Sequence, residues 1–241
     1  MHVAILGPLQ VRRDSTAVEV TSGRQRTLLA ALAVWPGEPV PVERLARALW
    51  GEDLPVNVRR DVQTYVTRLR RVLGSAVIRT VPGGYQLDID LARVDTMRFR
   101  QLLATAASAQ DRSRESALLE AALALWRGPP LEGIPSAWLR GPVAAYLHEA
   151  YLAAVERWID LALAGDRAAD SWDMMARVAE LAERHPLREP LQARFLLLLA
   201  QYGRRAEALA CYAHLRRRLA DELGVEPGPE LRRIHLGLLR E

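Results

Sequence analysis

The residue types in the stretch 57–73 are those that recognise nucleic acid. Apolar side chains recur there at steps of 4, 4, 3 and 4 residues, which predicts a helix with one buried side formed by Val58, Val62, Val66, Leu69 and Leu73. At about 100° per residue, the opposite side carries only basic and uncharged polar side chains: Arg60, Gln63, Thr64, Thr67, Arg68 and Arg71. Arginine hydrogen-bonds guanine edges in the major groove of DNA, and glutamine hydrogen-bonds adenine. The helix is therefore a candidate for insertion into the major groove; a merely solvated basic helix is the competing interpretation.

Basic charge is concentrated around this helix. The chain has 241 residues, and its 33 basic residues are all arginine, against 29 acidic residues and a formal net charge of +4. Residues 54–87 hold six arginines and one acid, whereas residues 92–241 hold 21 arginines and 20 acids. The positive potential is therefore local, and a local basic patch indicates a polyanionic partner.

Composition excludes several other classes of protein. The hydrophobic content of 50% argues against wholesale disorder. No apolar run approaches the roughly 20 residues that cross a bilayer. The first nine residues lack the basic flank and apolar block of a secretory signal. We expect a cytoplasmic, nucleoid-associated protein of one or two domains without membrane contact.

Residue patterns typical of catalysis and metal binding are missing from the sequence. The five histidines are scattered, the single cysteine is Cys211, and no Cys-x-x-Cys or His-Glu-x-x-His motif is present. Gly83-Gly84 lacks the lysine and the following helix of a phosphate-binding loop, so it predicts a hairpin turn. We expect neither an enzyme nor a cofactor.

The elements around the basic helix have the order of a winged helix-turn-helix. Short strands are predicted within residues 3–20, a first helix from a Ser22–Gln25 capping box to Trp35, and a second helix from Pro41 to Trp50. A two-stranded hairpin, the wing, follows the basic helix at residues 77–89. Additional candidate DNA-binding residues lie at the start of the first and third helices and on the wing: Arg24, Arg59, Arg79, Thr80, Gly83 and Tyr85. Arg79 is expected near the wing tip.

Beyond Val94 the sequence changes to long Ala/Leu/Arg helices. Helices are predicted at about 95–109, 114–127, 142–164, 171–185, 188–202, 205–223 and 229–240. A shift of 34 residues, the tetratricopeptide period, superposes Met174, Val178 and Leu181 on Ala208, Tyr212 and Leu215. The predicted fold is mainly α, with a winged helix-turn-helix domain at 1–91 and an all-α, tetratricopeptide-like helical array at 95–241.

Several stretches also resemble a known family. The first half resembles the OmpR-type DNA-binding domain of the Streptomyces antibiotic regulatory proteins, at residues 23–29 (GRQRTLL), 45–53 (LARALWGED), 62–73 (VQTYVTRLRRVL) and 78–87 (IRTVPGGYQL). The second half resembles the bacterial transcriptional activation domain of that family, at Val94-Asp95 with Phe99, residues 185–189 (HPLRE), 202–204 (YGR) and 223–227 (LGVEP).

The resemblance implies an activator of secondary-metabolite gene clusters that binds double-stranded promoter DNA and recruits RNA polymerase holoenzyme. It implies that the loop between the second and third helices contacts the polymerase through Trp50, Gly51, Glu52 and Asp53. The two acids of this loop stand out in an otherwise basic domain; an acidic turn that only keeps the surface soluble is the competing interpretation.

We expect a head-to-tail homodimer on direct repeats, because no sustained heptads predict a two-fold coiled coil and the resemblance favours tandem binding. The alternative function is a helical ligand- or peptide-binding sensor or scaffold that the first domain tethers to DNA. In that case tryptophans of the array would line its pocket rather than pack in its core: Trp126, Trp138, Trp158 and Trp172.

Overall fold

The computed structural model describes residues 1–165 and 172–240. Within these residues the chain forms two compact units, Met1–Tyr151 and Leu152–Glu241. Helices dominate, with two three-stranded sheets in the first unit. The predicted fold class, a winged helix-turn-helix followed by a helical array, is confirmed.

The N-terminal sheet consists of three short antiparallel strands in the order β1 (His2–Ala4), β2 (Gln10–Arg13) and β3 (Thr16–Ala17). Asp14 adopts a positive φ of 54° in the tight turn between the last two strands. Asp tolerates this left-handed conformation better than most residues because its short side chain can hydrogen-bond to the neighbouring backbone.

Three helices follow in the predicted order: α1 (Gly23–Val34), α2 (Val42–Trp50) and α3 (Val58–Leu73). The predicted capping box at α1 is wrong. Ser22 has the extended backbone of an N-cap residue, but its side chain makes no capping hydrogen bond. Its carbonyl instead accepts the first helical bond, from the Arg26 N–H.

The wing is a hairpin of β5 (Ile78–Val81) and β6 (Gly84–Leu87), joined by a two-residue turn. A third strand, β4 (Val40–Pro41), pairs with β6 and ties the wing to the start of α2. The carbonyl of Val40 lies so close to Gly84 that any Cβ there would collide with it. Sequence periodicity does not reveal a two-residue strand, so β4 was not predicted.

The core of the first unit surrounds α1. Residues Thr27–Val34 are all buried, because α2, α3 and β6 pack around this helix. Side chains from much later in the chain join the same core: Leu131, Ile134 and Leu139. A helix that is apolar on all sides is stable only when it is covered in this way.

The segment after residue 91 is bonded to the N-terminus. The first unit also holds α4 (Asp95–Ala107), α5 (Arg112–Leu123) and the start of α6 (Ala144–Leu163). Val94 forms a parallel bridge with Val3, and the carboxylate of Asp95 accepts hydrogen bonds from the N–H groups of residues 5 and 6 at 2.8–3.0 Å. The change in amino-acid composition at residues 91–95 therefore lies inside a compact unit, which ends at residue 151.

In its described residues, the second unit contains the end of α6 and four further helices: α7 (Trp172–Arg184), α8 (Glu189–Gln201), α9 (Arg205–Leu223) and α10 (Pro229–Arg240). Successive helices from α7 to α10 pack against one another. The residues superposed by the 34-residue shift, on α7 and α9, are all buried. Their equivalent burial is the repeated packing that a tetratricopeptide-like array requires.

The motif residues of this unit join its helices. Arg188 forms a hydrogen-bonded ion pair with Glu156 of α6 at 2.6 Å, and both side chains are largely buried. Glu189 accepts a hydrogen bond from the Gly228 N–H at 2.6 Å, which fixes the loop before α10. These residues therefore stabilise the array.

The tryptophans of the array pack against other side chains where the structure describes them. The rings of Trp126 and Trp138 contact other aromatic rings, and Trp158 is 6% exposed. The side chain of Trp172 lies outside the described residues. The packing interpretation is supported for the first three tryptophans.

Candidate nucleic-acid interface

The solvent side of α3 carries the side chains that the sequence predicts. Val62, Val66, Leu69 and Leu73 are buried on one side of the helix. The opposite side is exposed, and six predicted residues together line one shallow groove: Arg60, Gln63, Thr64, Thr67, Arg68 and Arg71. The interpretation of α3 as a helix with one buried and one polar side is confirmed.

The arginines of this groove are not neutralised. Among the described residues, Arg60 and Arg71 form no ion pair, and the guanidinium of Arg68 lies 5.8 Å from the ring of Tyr65. Several arginines of the helical array do form ion pairs, as in Arg184–Glu180 and Arg218–Glu222 at 2.6 Å. An exposed guanidinium without a carboxylate can bind phosphate or the edge of guanine without losing an internal partner.

The two threonines of the groove bond to their own helix. The Thr64 hydroxyl donates to the carbonyl of Arg60, and the Thr67 hydroxyl donates to the carbonyl of Gln63, both at 2.9 Å. These bonds occupy the hydroxyl protons but leave the methyl groups and an acceptor lone pair.

Arg70 braces α3 against the wing, a role that the sequence did not reveal. Its Nε and Nη2 donate to the carbonyl of Ile78 at 2.9 and 2.7 Å, and Nη2 also donates to the Thr80 hydroxyl at 2.9 Å. At the end of α3, Arg13 donates to the carbonyl of Leu73 at 2.8 Å. The sequence indicates only that Arg70 lies between the buried and the exposed sides of the helix.

The predicted wing residues lie in different environments. Arg79 is the second residue of β5, not near the tip, and its guanidinium contacts Gln86 at 2.7 Å and Asp88 at 3.6 Å. Tyr85 is 8% exposed and belongs to the core, so the assignment of its ring to a DNA surface is corrected. Thr80 is exposed but accepts the bond from Arg70, and Gly83 is exposed in the turn with φ of 76°.

Two other predicted arginines lie at helix starts. Arg24 is exposed at the start of α1, with its guanidinium 5.6 Å from the ring of Trp50. Arg59 forms an ion pair with Glu43 at 3.7 Å, and both side chains are more than two-thirds exposed. Exposed pairs contribute little stability, so this bond leaves Arg59 available to a stronger anion.

The loop between α2 and α3 exposes its acids. Glu52 forms a 3.4 Å ion pair with Arg47, with 88% of its side chain exposed, and Asp53 is also exposed. Trp50 is half-buried against Tyr65, at a ring distance of 6.1 Å, and Gly51 ends α2 with φ of 68°. Two exposed apolar side chains follow in the same loop, Leu54 at 54% and Val56 at 101% exposure.

Within residues 1–165 and 172–240, no helix is both long and apolar enough to cross a membrane. The same residues contain no group of three or more His, Cys, Asp or Glu side chains suited to holding a metal ion.

The chain combines a winged helix-turn-helix, which exposes a basic helix face, with a helical array. This combination is that of a transcription regulator with an OmpR-type DNA-binding domain. Residues 94–239 match the bacterial transcriptional activator domain, and residues 16–87 match the C-terminal domain of transcriptional regulatory proteins. The chain belongs to the family of the Streptomyces antibiotic regulatory proteins, which are transcriptional activators.

Relatives that match the whole chain or nearly all of it differ in length. The regulatory protein DnrI of Streptomyces peucetius is 33% identical over 100% of this chain and 92% of its own length. The regulatory protein AfsR of Streptomyces griseus is 35% identical over 100% of this chain, which spans only 24% of AfsR. The structure of Mycobacterium tuberculosis EmbR in complex with a low-affinity phosphopeptide has a TM-score of 0.87 and 33% identity, covering 99% of this chain and 65% of EmbR.

Proposed function

We propose that this chain binds promoter DNA through the exposed side of α3 and activates secondary-metabolite biosynthesis genes. The observation that carries the proposal is the groove of α3, where basic and hydrogen-bonding side chains converge and, among the described residues, Arg60 and Arg71 have no acidic partner. A helix of this kind offers guanidinium groups to phosphates and to guanine, and an amide to adenine. The resemblance to the antibiotic regulatory proteins supports the class of target gene.

The proposed arrangement on DNA is a head-to-tail pair on direct repeats. A winged domain can repeat along one face of the duplex when the half-site centres are about 10 to 10.5 base pairs apart. Footprinting of genomic fragments with the purified chain should return such a repeat. Inserting half a helical turn between the half-sites should abolish cooperative binding, whereas an inverted repeat or unchanged cooperativity would contradict the arrangement.

The proposed contact with RNA polymerase is the loop from Trp50 to Asp53. Its exposed carboxylates would be repelled by DNA phosphates, so they suit a basic protein surface better than the duplex. The double variant Glu52→Ala, Asp53→Ala should retain promoter binding but lose activation in a purified transcription system. Asp221→Ala on α9 is a matched control outside the loop and should activate normally. Full activation by the double variant would remove this role from the loop.

A further inference from the structure

Thr64 and Thr67 are the central pair of the α3 groove. They are three residues apart, so they lie side by side on the exposed side of the helix. Longer side chains flank them, among them Arg60 and Arg71. Whatever occupies the groove must pass over the two threonines.

The hydroxyl groups of both threonines already have acceptors. Each donates to the carbonyl four residues earlier at 2.9 Å, so neither proton is available to a base without breaking that bond. Guanine offers only acceptors at its major-groove edge, N7 and O6, and therefore cannot bond to a threonine in this state. What the threonines can still offer are their methyl groups and the acceptor lone pairs of their hydroxyls, and only the methyl groups can make an apolar contact.

Only one base presents an apolar group of matching kind in the major groove. The C5-methyl of thymine contacts threonine methyls, and no other base carries it. We propose that Thr64 and Thr67 determine sequence specificity by methyl contact with thymines at the centre of each half-site. This inference rests on the proposed insertion of α3 into the major groove. It adds the identity of the base, thymine, that the centre of the helix selects.

The magnitude follows from the burial of one methyl group. Removing it from a dry contact weakens binding about fourfold. Replacing a contacted thymine by deoxyuridine deletes that methyl from the DNA and changes nothing in the protein. It should therefore weaken binding of the wild-type chain about fourfold, whereas the same replacement outside the footprint should have no effect.

Two substitutions at each threonine separate the methyl from the hydroxyl. Thr67→Val keeps a methyl and removes the hydroxyl, so it should bind the footprinted duplex within about twofold of wild type. Thr67→Ser keeps the hydroxyl and removes the methyl, so it should lose about fourfold. Deoxyuridine at the contacted position should then cost the Thr67→Ser protein nothing further, because the contact is already gone. The same pattern is expected at Thr64.

Two results overturn the inference while leaving the proposed function intact. In the first, Thr67→Ser and Thr64→Ser bind at the wild-type level and the valine variants lose affinity. That result would show that the hydroxyl groups, not the methyl groups, recognise the base. The other is a wild-type affinity that no deoxyuridine replacement inside the footprint changes. If the wild-type chain binds no duplex at all, the proposed function and this inference fall together.

Discussion

The buried carboxylate of Asp95 should be a major determinant of the stability of the first unit. Its side chain is 8% exposed, and it accepts hydrogen bonds from the N–H groups of Ile5 and Leu6, both in fully buried residues. Arg127 lies 3.6 Å away and also donates to the carbonyl of Pro8 at 3.0 Å. The carboxylate therefore joins the start of α4 to the end of the N-terminal strand.

The cost of Asp95→Ala can be worked from these bonds. Each buried N–H that loses its acceptor costs about 1–3 kcal/mol, so the two together cost about 2–6 kcal/mol. Relief of the desolvation of an ionised carboxylate offsets part of this cost. We expect the free energy of unfolding to fall by about 3 kcal/mol at neutral pH.

Urea unfolding followed by circular dichroism measures this difference in the full chain. Asp53→Ala, at an exposed loop position, is the matched control and should change stability by less than about 0.5 kcal/mol. Hydrogen exchange of the peptide containing residues 5 and 6 should accelerate in Asp95→Ala and stay unchanged in the control. A loss below 1 kcal/mol with normal exchange at these amides would refute the reasoning.

Three more outcomes are expected. Burial raises the pKa of Asp95. The part of its stability contribution that depends on protonation is therefore fully present below the unfolded pKa of about 4 and is lost as pH rises through the folded pKa, whereas the hydrogen bonds from residues 5 and 6 persist in the ionised form. Acidification from pH 7 should stabilise wild type relative to Asp95→Asn in urea titrations, and a constant difference would contradict this. Arg70→Ala should lower stability by about 1–2 kcal/mol and loosen the wing, measured as faster hydrogen exchange in β5. Gly228→Ala should cost about 1 kcal/mol, because its Cβ would lie 2.7 Å from the Glu189 carboxylate; a double-mutant cycle with Glu189→Ala should show this coupling, and additive losses would exclude it.

Much of the fold follows from periodicity in the sequence. The steps between Val62, Val66 and Leu69 predict α3 and identify its exposed side, because a helix turns by a fixed angle per residue. The 34-residue shift correctly pairs Val178 with Tyr212, because repeats bury equivalent positions. Both predictions depend only on local geometry.

Other features depend on residues that are distant in the sequence. The position of Asp95 in a family motif does not reveal that its carboxylate accepts bonds from residues 90 positions earlier. Arg79 carries the expected charge, but its pairing with Asp88 depends on the register of the wing. Tyr85 has the residue type of a DNA-contacting aromatic, yet it is buried in the core of the first unit. Such contacts arise only after the elements assemble.

The most direct test of DNA binding by α3 is the salt dependence of duplex affinity, measured by fluorescence anisotropy with the full chain. Arg60→Ala, Arg71→Ala removes two guanidinium groups of the groove that form no ion pair within the described part of the chain. Arg216→Ala, Arg218→Ala removes two ion-paired guanidinium groups from α9 as a control. For each phosphate contact that the first variant loses, we predict that the slope of log K against log salt falls in magnitude by about 0.9. For each base contact that it loses, we predict a loss of about 1–3 kcal/mol of binding free energy on the specific site. The control should bind like wild type. Wild-type affinity and slope in the α3 variant would contradict the assignment of DNA binding to this helix.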